Sequence, residues 1–304
     1  MLLSIIIATK NRESVLTHSI EKSLESIKNH NIEIIIVNDG NEIIHKTPNK
    51  QIYYLDNNKN GVSHARNLGA ANAKSDYLFF IDDDVWISTN FVIWFLQNRE
   101  SLICQNFVYN INWHYPQNLI IQLNNTKIGR YLQNVNYHTM WGRMGNKKIV
   151  EPRNGFYETY NIGSCSLLIK KKLFLEIGGY DERIIFQGED IELSNRLNKF
   201  NIPIFAVFDT IVYHNHLDRF QINNFLDREF NGYKSEFESI KNGYIENKYQ
   251  ISFLKFKTFN FLVKYESIIR FCFKKIPNHK LFDFISFKIL GILSSLQKHK
   301  AYQK

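Results

Sequence analysis

Three consecutive aspartates, Asp82, Asp83 and Asp84, directly follow an apolar run at residues 77–81. Such a run predicts a buried strand of an open α/β sheet, which binds its ligands at the carboxyl ends of its strands. Because side chains alternate along a strand, Asp82 and Asp84 are expected on one side and Asp83 on the other. Two carboxylates at that spacing suit a divalent ion such as Mg²⁺ or Mn²⁺. The alternative is a solvated acidic turn after a strand.

A second acidic pair, Glu189 and Asp190, falls in the first turn of a predicted helix. The apolar face of that helix is formed by Ile191, Leu193 and Leu197. The partial positive charge at a helix N-terminus favours anionic residues and is expected to lower their pKa. An ordinary acidic first turn shows the same pattern and is the alternative.

Two histidines, His214 and His216, come just after a predicted strand at residues 204–208. Single histidines usually have structural roles, but two at a strand end are candidate ligands for a metal ion. Earlier in the chain, Gly61 lets the backbone turn in a polar loop. Arg66, on the Ala-rich helix that follows, is able to reach phosphates or the acidic residues.

The start of the chain has a strand–helix–strand order. The predicted elements are a strand at residues 2–8, a helix at 14–28 and a strand at 33–37. Thr9, Asn11 and Arg12 lie in the turn after the first strand, and Asp39 follows the second. This order predicts a βαβ unit of an open sheet. The first strand is not followed by a G-x-G-x-x-G fingerprint, so a nicotinamide cofactor is disfavoured. The chain has no Walker A loop either.

The middle of the chain continues the alternation of strands and helices. We predict a strand at 52–55, the beginning of a helix at 88–96, strands at 102–112 and 161–169, and a helix at 170–177. Residues 113–160 are irregular and rich in Asn, Tyr and Trp. Long irregular segments within compact domains are usually functional lids or insertions, and we expect this one beside the acidic cluster.

Charge and cysteine content limit the class of protein. The net charge is +9, and residues 217–304 contain 16 Lys and Arg against 8 Asp and Glu. The basic surface therefore belongs to the last part of the chain. No basic, aromatic binding module is recognisable, so we expect no nucleic-acid partner. The three widely separated cysteines indicate a reducing compartment, and the N-terminus lacks the basic region of a signal peptide, so we expect a cytoplasmic protein.

The C-terminal part predicts helices with both apolar and basic residues. We expect amphipathic helices at 224–240 and 259–276 and a third apolar stretch at 281–296, which is too short and too charged to span a bilayer. Such helices suit the surface of an anionic membrane, with the protein peripheral on the inner face of the cell membrane. The alternative is that their apolar faces pack on the rest of the chain or on a second copy, in a homo-oligomer.

Taken together, these motifs resemble the family 2 glycosyltransferases of the GT-A fold. The matching segments are 4–12, 37–40, 60–61, 65–69, 80–84, 178–181 and 188–190. Each motif alone is weak, but their combination is specific and covers about residues 1–216. The resemblance implies an α/β fold with an open, mostly parallel sheet flanked by helices. It also implies a catalytic domain at 1–216 and a basic helical extension at 217–304.

The resemblance implies roles for the residues around the donor. Asp39 would hold the nucleobase, and Asp82 and Asp84 would form the aspartate-x-aspartate site for the ribose and the metal-bound diphosphate. His214 would complete the metal site, with His216 as its rival. Further contacts to the nucleotide-sugar are expected from Thr9, Asn11, Arg12, Gly61, Arg66 and Asp83.

The resemblance also implies a mechanism. Asp190, with Glu189 as its neighbour, would accept the proton of an acceptor hydroxyl that attacks from the face opposite the leaving group, which gives inversion. The charge on the departing diphosphate would be neutralised by the metal. Asn38 stands where many relatives have a second aspartate, which affects only the detail of base recognition. The Gln-x-x-Arg-Trp motif of processive polymerases is absent, so single sugar additions are expected.

The sequence therefore predicts a metal-dependent hexosyl- or N-acetylhexosaminyltransferase. It would move a sugar from a nucleotide-sugar, with a UDP-sugar favoured, to a glycan or lipid-linked acceptor in bacterial surface polysaccharide synthesis. One alternative is a retaining transferase, in which the same carboxylate region binds the acceptor without acting as base. The other is a non-catalytic nucleotide-sugar-binding protein or membrane scaffold that keeps the fold.

Overall fold

The computed structural model of the chain describes residues 1–42, 44–45, 47–103, 106–144, 151–184, 188–215, 220–244 and 251–303. The chain forms two compact units. The first consists of Met1–His114 and Val150–Asn215, and the second of Tyr115–Ile149 and His216–Lys304. The segment predicted to be irregular is thus divided between the units, and the functional boundary at residue 216 stays a prediction.

The first unit contains a nine-stranded sheet. Its strands are β1 (Leu3–Thr9), β2 (Ile32–Asn38), β3 (Ile52–Asp56), β4 (Tyr77–Asp82), β5 (Val85–Ile87), β6 (Val108–His114), β7 (Phe156–Thr159), β8 (Ser166–Lys170) and β9 (Ile204–His214). Their order across the sheet is β3-β2-β1-β4-β8-β6-β9-β5, and β7 also pairs with β9.

One half of the sheet is parallel. β3, β2, β1 and β4 run in the same direction, with β1 between β2 and β4. The isoleucines of β1 and the two phenylalanines of β4 are fully buried. Strands covered by helices on both faces require such continuous apolar runs. The predicted βαβ start of the chain is therefore confirmed.

The other half of the sheet is mixed. β8 runs antiparallel to β4, with Ser166 opposite Ile81. β6 is antiparallel to β8 and parallel to β9. β5 pairs antiparallel with β9, which brings Val85 opposite His214. As a result, the carboxyl ends of β1, β4, β6 and β9 and the start of β8 meet at one edge of the sheet.

Among the described residues, α-helices occur in both units, and a short 3-10 helix lies at Lys280–Phe282. The α-helices are α1 (Glu13–Ile27), α2 (Val62–Asn72), α3 (Thr89–Ile103), α4 (Gln117–Asn124), α5 (Lys127–Asn134), α6 (Met140–Arg143), α7 (Lys171–Glu176), α8 (Glu189–Lys199), α9 (Ile222–Lys241), α10 (Phe253–Lys264), α11 (Glu266–Lys275) and α12 (Asp283–Ala301). α1 and α2 pack on the sheet of the first unit. The predicted α/β class, with helices flanking a sheet and a helical C-terminal part, is confirmed.

Several predicted boundaries differ from the structure, among them the strand expected at 204–208, which extends to His214. The strand expected at 102–112 begins at Val108, because Leu102 belongs to the last turn of α3. The strand expected at 161–169 begins at Ser166, whose N–H closes a turn onto the carbonyl of Gly163 at 3.1 Å. The helix expected at 259–276 is two helices, α10 and α11, because the backbone turns at Tyr265 between them.

The second unit is built around α12, which packs against α5, α9 and α11. Its leucines Leu290, Leu293 and Leu296 are fully buried. Buried Arg130 on α5 makes a two-pronged ion pair with Asp283 at the start of α12, with N–O distances of 2.7 to 3.0 Å. Within the described part of the chain, every helix is too short or too polar to cross a membrane.

Candidate active site

The candidate site lies at the sheet edge where β4 and β9 end. One ligand atom from each of Asp82, Asp84 and His214 lies within 4.8 Å of the others. Asp84 Oδ1 is 2.9 Å from His214 Nε2, and both residues are buried. The pairing of β5 with β9 fixes this carboxylate and this imidazole side by side. His216, the rival metal ligand, lies outside the described residues.

Asp83 is hydrogen-bonded to the last residue of β1 and to the turn that follows this strand. Its Oδ2 accepts a hydrogen bond from the hydroxyl of Thr9 at 2.8 Å, and its Oδ1 accepts one from Arg12 Nη1 at 2.5 Å. The second terminal nitrogen of Arg12 lies 3.2 Å from Asp84 Oδ2. Burial raises the pKa of Asp83 to about 7, against the favourable charge of Arg12. Thr9 therefore holds an aspartate, and Arg12 links two of the three carboxylates.

Asp39, after β2, is surrounded by donors. Its Oδ1 accepts from the Gly61 N–H at 2.8 Å and from the Asn57 amide, and its Oδ2 lies 3.4 Å from Lys10 Nζ. The neighbouring turn is tight, because a Cβ at Gly40 would come within 2.2 Å of Asn11 Oδ1. Asp39, the residue predicted to hold the nucleobase, is thus a carboxylate fixed by the loop that carries Asn57 and Gly61.

Arg66 joins the two acidic motifs. Its Nη1 donates to Glu189 Oε1 at 2.7 Å and its Nη2 donates to Asp82 Oδ1 at 3.0 Å. Arg66 and Glu189 are both buried, where removal of either partner would leave an uncompensated charge. Burial alone would lower the pKa of Arg66, but the carboxylates of Glu189, Asp82 and Asp190 outweigh it and keep the guanidinium charged.

Asp190 is held by Ser164, which lies just before β8. Its Oδ1 accepts from the backbone N–H of Ser164 at 3.0 Å and from the Ser164 hydroxyl, which also lies 2.7 Å from the hydroxyl of buried Tyr180. The residue as a whole is half-buried. Burial of the carboxylate, followed by the charge of Glu189, raises its pKa to about 7. The expectation that the helix N-terminus lowers this pKa is wrong, because desolvation outweighs the helix dipole.

Negative charge exceeds positive charge around this edge. Among the described residues, two guanidinium groups lie here with five carboxylates: Arg12 and Arg66 with Asp82, Asp83, Asp84, Glu189 and Asp190. A bound divalent cation would supply the missing charge. Carboxylate oxygens with one imidazole nitrogen, within a few ångströms of each other, fit Mn²⁺ or Mg²⁺.

Several site residues were not found from the sequence. Ser164 and Tyr180 position Asp190, and Asn57 donates to Asp39. Cys165 lies near the carboxylates of Asp82, Asp84 and Asp190, which add to burial in raising the pKa of its thiol. Ser164 and Cys165 precede a strand, and only its antiparallel place beside β4 makes them neighbours of the aspartates.

These features are matched by a known family. Residues 4–260 match the family model described as Glycosyltransferase like family 2. Since the match spans most of the chain, this protein belongs to that family of glycosyltransferases. The predicted family resemblance is confirmed.

Curated relatives are also glycosyltransferases. The chain is 34% identical to Glycosyltransferase GlyA of Streptococcus pneumoniae serotype 4 over 100 residues, which are 30% of this chain and 14% of GlyA. It is 37% identical over 95 residues to the UDP-Glc:alpha-D-GlcNAc-diphosphoundecaprenol beta-1,3-glucosyltransferase WfaP of Escherichia coli, covering 29% of this chain and 38% of WfaP. An uncharacterized glycosyltransferase of Haemophilus influenzae is 27% identical over 183 residues, which are 59% of this chain and 56% of that protein. Each alignment spans less than two thirds of the relative's own length.

A solved structure shares the fold. The crystal structure of GalNAc-T7 with UDP, GalNAc and Mn²⁺ superposes with a TM-score of 0.52 at 15% identity, covering 95% of this chain and 54% of that one. At this identity the similarity shows the GT-A fold and nothing finer.

Proposed function

We propose that this glycosyltransferase moves a single hexosyl or N-acetylhexosaminyl group from a nucleotide-sugar, with a UDP-sugar favoured, to an acceptor hydroxyl with inversion. The bridge made by Arg66 is the observation that carries the proposal. It connects Asp82, at the end of β4, to Glu189, the residue before Asp190. A carboxylate suited to the donor and a carboxylate suited to take up a proton are thereby held together at one edge of the sheet.

The donor would lie across the ends of β1, β2 and β4. Asp39, fixed by Gly61 and Asn57, would accept hydrogen bonds from the base. Arg12 and Arg66 provide positive charge close to where a diphosphate would lie, and Asn11 forms the adjoining turn. Thr9 would act through Asp83, because its hydroxyl is directed to that carboxylate.

Asp82, Asp84 and His214 would hold Mn²⁺ or Mg²⁺, which when bound stabilises the negative charge of a departing diphosphate. Asp84 and His214 are the more rigid part of this set, because they are buried and lie on paired strands. Arg12 lies on the same carboxylate and adds a fixed positive charge that needs no reorganisation during the reaction.

Asp190 would act as the general base. The acceptor oxygen forms its bond to the anomeric carbon while the bond from that carbon to the diphosphate oxygen breaks, and the hydroxyl proton passes to Asp190. Attack from the face opposite the leaving group inverts the configuration. Ser164 fixes the carboxylate for this transfer, and its bond to Tyr180 fixes Ser164 in turn.

The acceptor would be a glycan or a lipid-linked oligosaccharide in surface polysaccharide synthesis. This proposal is supported by WfaP, whose name gives a UDP-sugar donor and a sugar on diphosphoundecaprenol as acceptor. A carrier of that kind places the reaction at a membrane surface. The cytoplasmic location and a homo-oligomer through the C-terminal helices stay predictions.

Asp84→Ala tests the donor site. We expect calorimetric titration with UDP to show Mn²⁺-dependent binding in the wild type and loss of that dependence in the variant, together with loss of transfer. Asp76→Ala is the matched control, because Asp76 is an exposed aspartate just before the opposite end of β4. Equal, metal-dependent UDP binding by both variants would contradict the assignment.

A further inference from the structure

The C-terminal helices expose an unusual amount of apolar surface. Twelve of the twenty exposed large hydrophobic residues in the described chain lie between residues 253 and 292. Soluble monomers rarely show large contiguous apolar patches without a partner for them. We name the exposed side chains of residues 253–292 the C-terminal face.

α12 shows that this exposure is not explained by packing within the chain. Its inner side contributes Leu290, Leu293 and Leu296 to the interior of the second unit. Its outer side still presents Phe284 and Ile292, which are 71% and 41% exposed. A helix that has already buried one apolar side and keeps another apolar side exposed has a surface suited to an apolar medium.

α10 and α11 extend the same surface. No residue of α10 is buried, although Phe253 and Phe261 are 72% and 59% exposed. On α11, Ile268 and Phe271 lie three residues apart on one side and are 56% and 61% exposed. Phe261 also packs against Tyr265, the residue between the two helices, at 4.8 Å between ring centroids, so exposed apolar surface continues to the junction of α10 and α11.

Lysines are interleaved with these apolar side chains. Lys255, Lys257, Lys264, Lys274, Lys275, Lys280 and Lys288 are all exposed. Three of them lie over the rings of exposed phenylalanines: Lys257 Nζ is 4.4 Å from the Phe253 ring, Lys288 Nζ is 4.8 Å from Phe284, and Lys275 Nζ is 5.4 Å from Phe271. Long side chains of this kind place their charge at a polar boundary while their stems lie on apolar groups.

Basic residues in this region far outnumber acidic ones. Residues 251–304 contain 11 Lys and Arg against two Asp and Glu. Both acids already have partners, since Glu266 pairs with Arg270 and Lys300, and Asp283 pairs with Arg130. The exposed lysines therefore present positive charge outward. A complementary partner would carry negative charge and also have an apolar region.

We propose that the C-terminal face binds the surface of an anionic lipid bilayer, with α10, α11 and the start of α12 lying in the plane of the interface. Phenylalanine and isoleucine side chains would enter the acyl boundary, and the lysines beside them would contact acidic headgroups. A second copy of the chain is disfavoured as the occupant, because it would bring the same excess of positive charge. The proposal does not depend on the catalytic site.

Co-sedimentation of the full-length protein with vesicles tests the proposal. We expect binding to vesicles of phosphatidylcholine with phosphatidylglycerol, weakening as salt rises, and little binding to phosphatidylcholine alone. The triple variant Lys257→Glu, Lys275→Glu and Lys288→Glu should weaken binding by at least about 100-fold, because each lysine near an anionic surface contributes about 1 kcal/mol. Lys50→Glu, Lys172→Glu and Lys199→Glu make the same change of charge at exposed sites of the first unit and should leave binding unchanged.

The apolar contribution has its own variant. Phe284→Ser with Ile285→Ser removes exposed side chains, so the fold should be retained while vesicle binding falls; Ile93→Ser with Phe200→Ser is the control in the first unit. A wild-type protein that stays in the supernatant with anionic vesicles at low salt overturns the proposal. So does a dimer, seen by sedimentation, that the Phe284→Ser and Ile285→Ser pair abolishes. UDP binding, measured separately, shows whether the catalytic proposal stands in either case.

Discussion

Asp190 must be ionised to accept a proton, yet its surroundings oppose ionisation. Burial and the charge of Glu189 raise its pKa to about 7, while Arg66 and the Ser164 hydroxyl act to lower it. A general base is most effective when its pKa lies near the working pH. If Asp190 is the base proposed above, residues that the substrates need not touch would set the pH range of transfer.

The hydroxyl of Ser164 should shift the pH profile. We expect kcat/KM of the wild type to rise with pH through about 7, as Asp190 loses its proton. Ser164→Ala removes a hydrogen bond that favours the ionised form, so the rise should move to higher pH. Initial rates across the pH range, with the donor and acceptor found by screening, measure this shift. A variant with an unshifted profile and a uniformly lower rate would show that Ser164 has only a structural role.

Asp190→Asn should lower the activity of the protein and raise its thermal stability. The amide cannot take up a proton, so we expect kcat to fall by roughly 10²- to 10⁴-fold with UDP binding retained. The pKa of Asp190 is higher in the folded protein than the usual aspartate value, so ionisation of this group destabilises the fold increasingly as pH rises toward about 7. The variant should therefore gain thermal stability relative to wild type, and gain more at about pH 8 than at about pH 5.

Calorimetric or spectroscopic melting at both pH values checks the stability part of this prediction. A variant that melts below the wild type under alkaline conditions would mean that the carboxylate is stabilising in the fold. If most of the turnover remains, the base lies elsewhere, and Glu189 is the next candidate.

At the level of secondary structure, the buried strands were the easiest elements to predict. Continuous runs of Ile, Val, Leu and Phe in β1, β2 and β4 match strands covered on both faces. The side chains that end those strands, Asp39 and Asp82 among them, were located for the same reason. Sequence position alone was enough to place a candidate residue that directly follows a long apolar run.

Contacts between distant elements could not be predicted in this way. Ser164, just before β8, contacts Asp190 on α8, and no local pattern encodes a contact between these two elements. The predicted direction of the pKa shift of Asp190 was wrong for a related reason. The helix dipole is a local property of α8, whereas the burial that outweighs it comes from residues elsewhere in the chain.

The turn between α7 and α8 should be sensitive to a single methyl group. Asn67 on α2 holds Tyr180 by accepting from its N–H and donating to its carbonyl, both at 2.9 Å. Gly179 has φ +65°, and a Cβ there would lie 2.7 Å from Asn67 Oδ1. We expect Gly179→Ala to lower the free energy of unfolding by about 1–3 kcal/mol and to weaken the support of Ser164 by Tyr180.

Gly178→Ala is the control for this change. Gly178 also has a positive φ of 86°, but its Cβ would meet Arg196 Nη1 only at 3.7 Å, an ordinary contact. Urea denaturation of the two variants should show the larger loss for Gly179→Ala. Equal losses would mean that backbone conformation, and not the approach of Asn67, decides the cost.

For the molecule as a whole, charge is divided between two regions of opposite sign. Residues 251–304 carry an excess of nine positive charges, which equals the net charge of the entire chain. The remainder is neutral in sum but collects carboxylates at one sheet edge. Salt screens exposed charges strongly and buried ones weakly. Ionic strength should therefore affect lipid binding by the C-terminal face far more than metal binding by the first unit.

Metal binding should be visible in the stability of the protein. A ligand that binds only the folded state stabilises it by about 2.7 kcal/mol at a hundredfold excess over its dissociation constant. We expect Mn²⁺ to raise the Tm of the wild type and of Asp76→Ala by several degrees, and to leave Asp84→Ala unchanged. Differential scanning calorimetry with and without Mn²⁺ measures this. A shift of the same size in Asp84→Ala would place the ion elsewhere.

The two described cysteines differ in ways that a thiol-reactive dye would detect. Cys272 is exposed on α11, among the residues of the C-terminal face. Burial, with the charges of nearby aspartates, raises the pKa of Cys165, so its thiol stays uncharged and slow to react at neutral pH. Once Cys104, which lies outside the described residues, is replaced by serine, an environment-sensitive fluorophore would attach to Cys272 first. Its emission would shift to the blue when α11 enters lipid, so the natural sequence already contains an attachment point for an optical reporter of that contact.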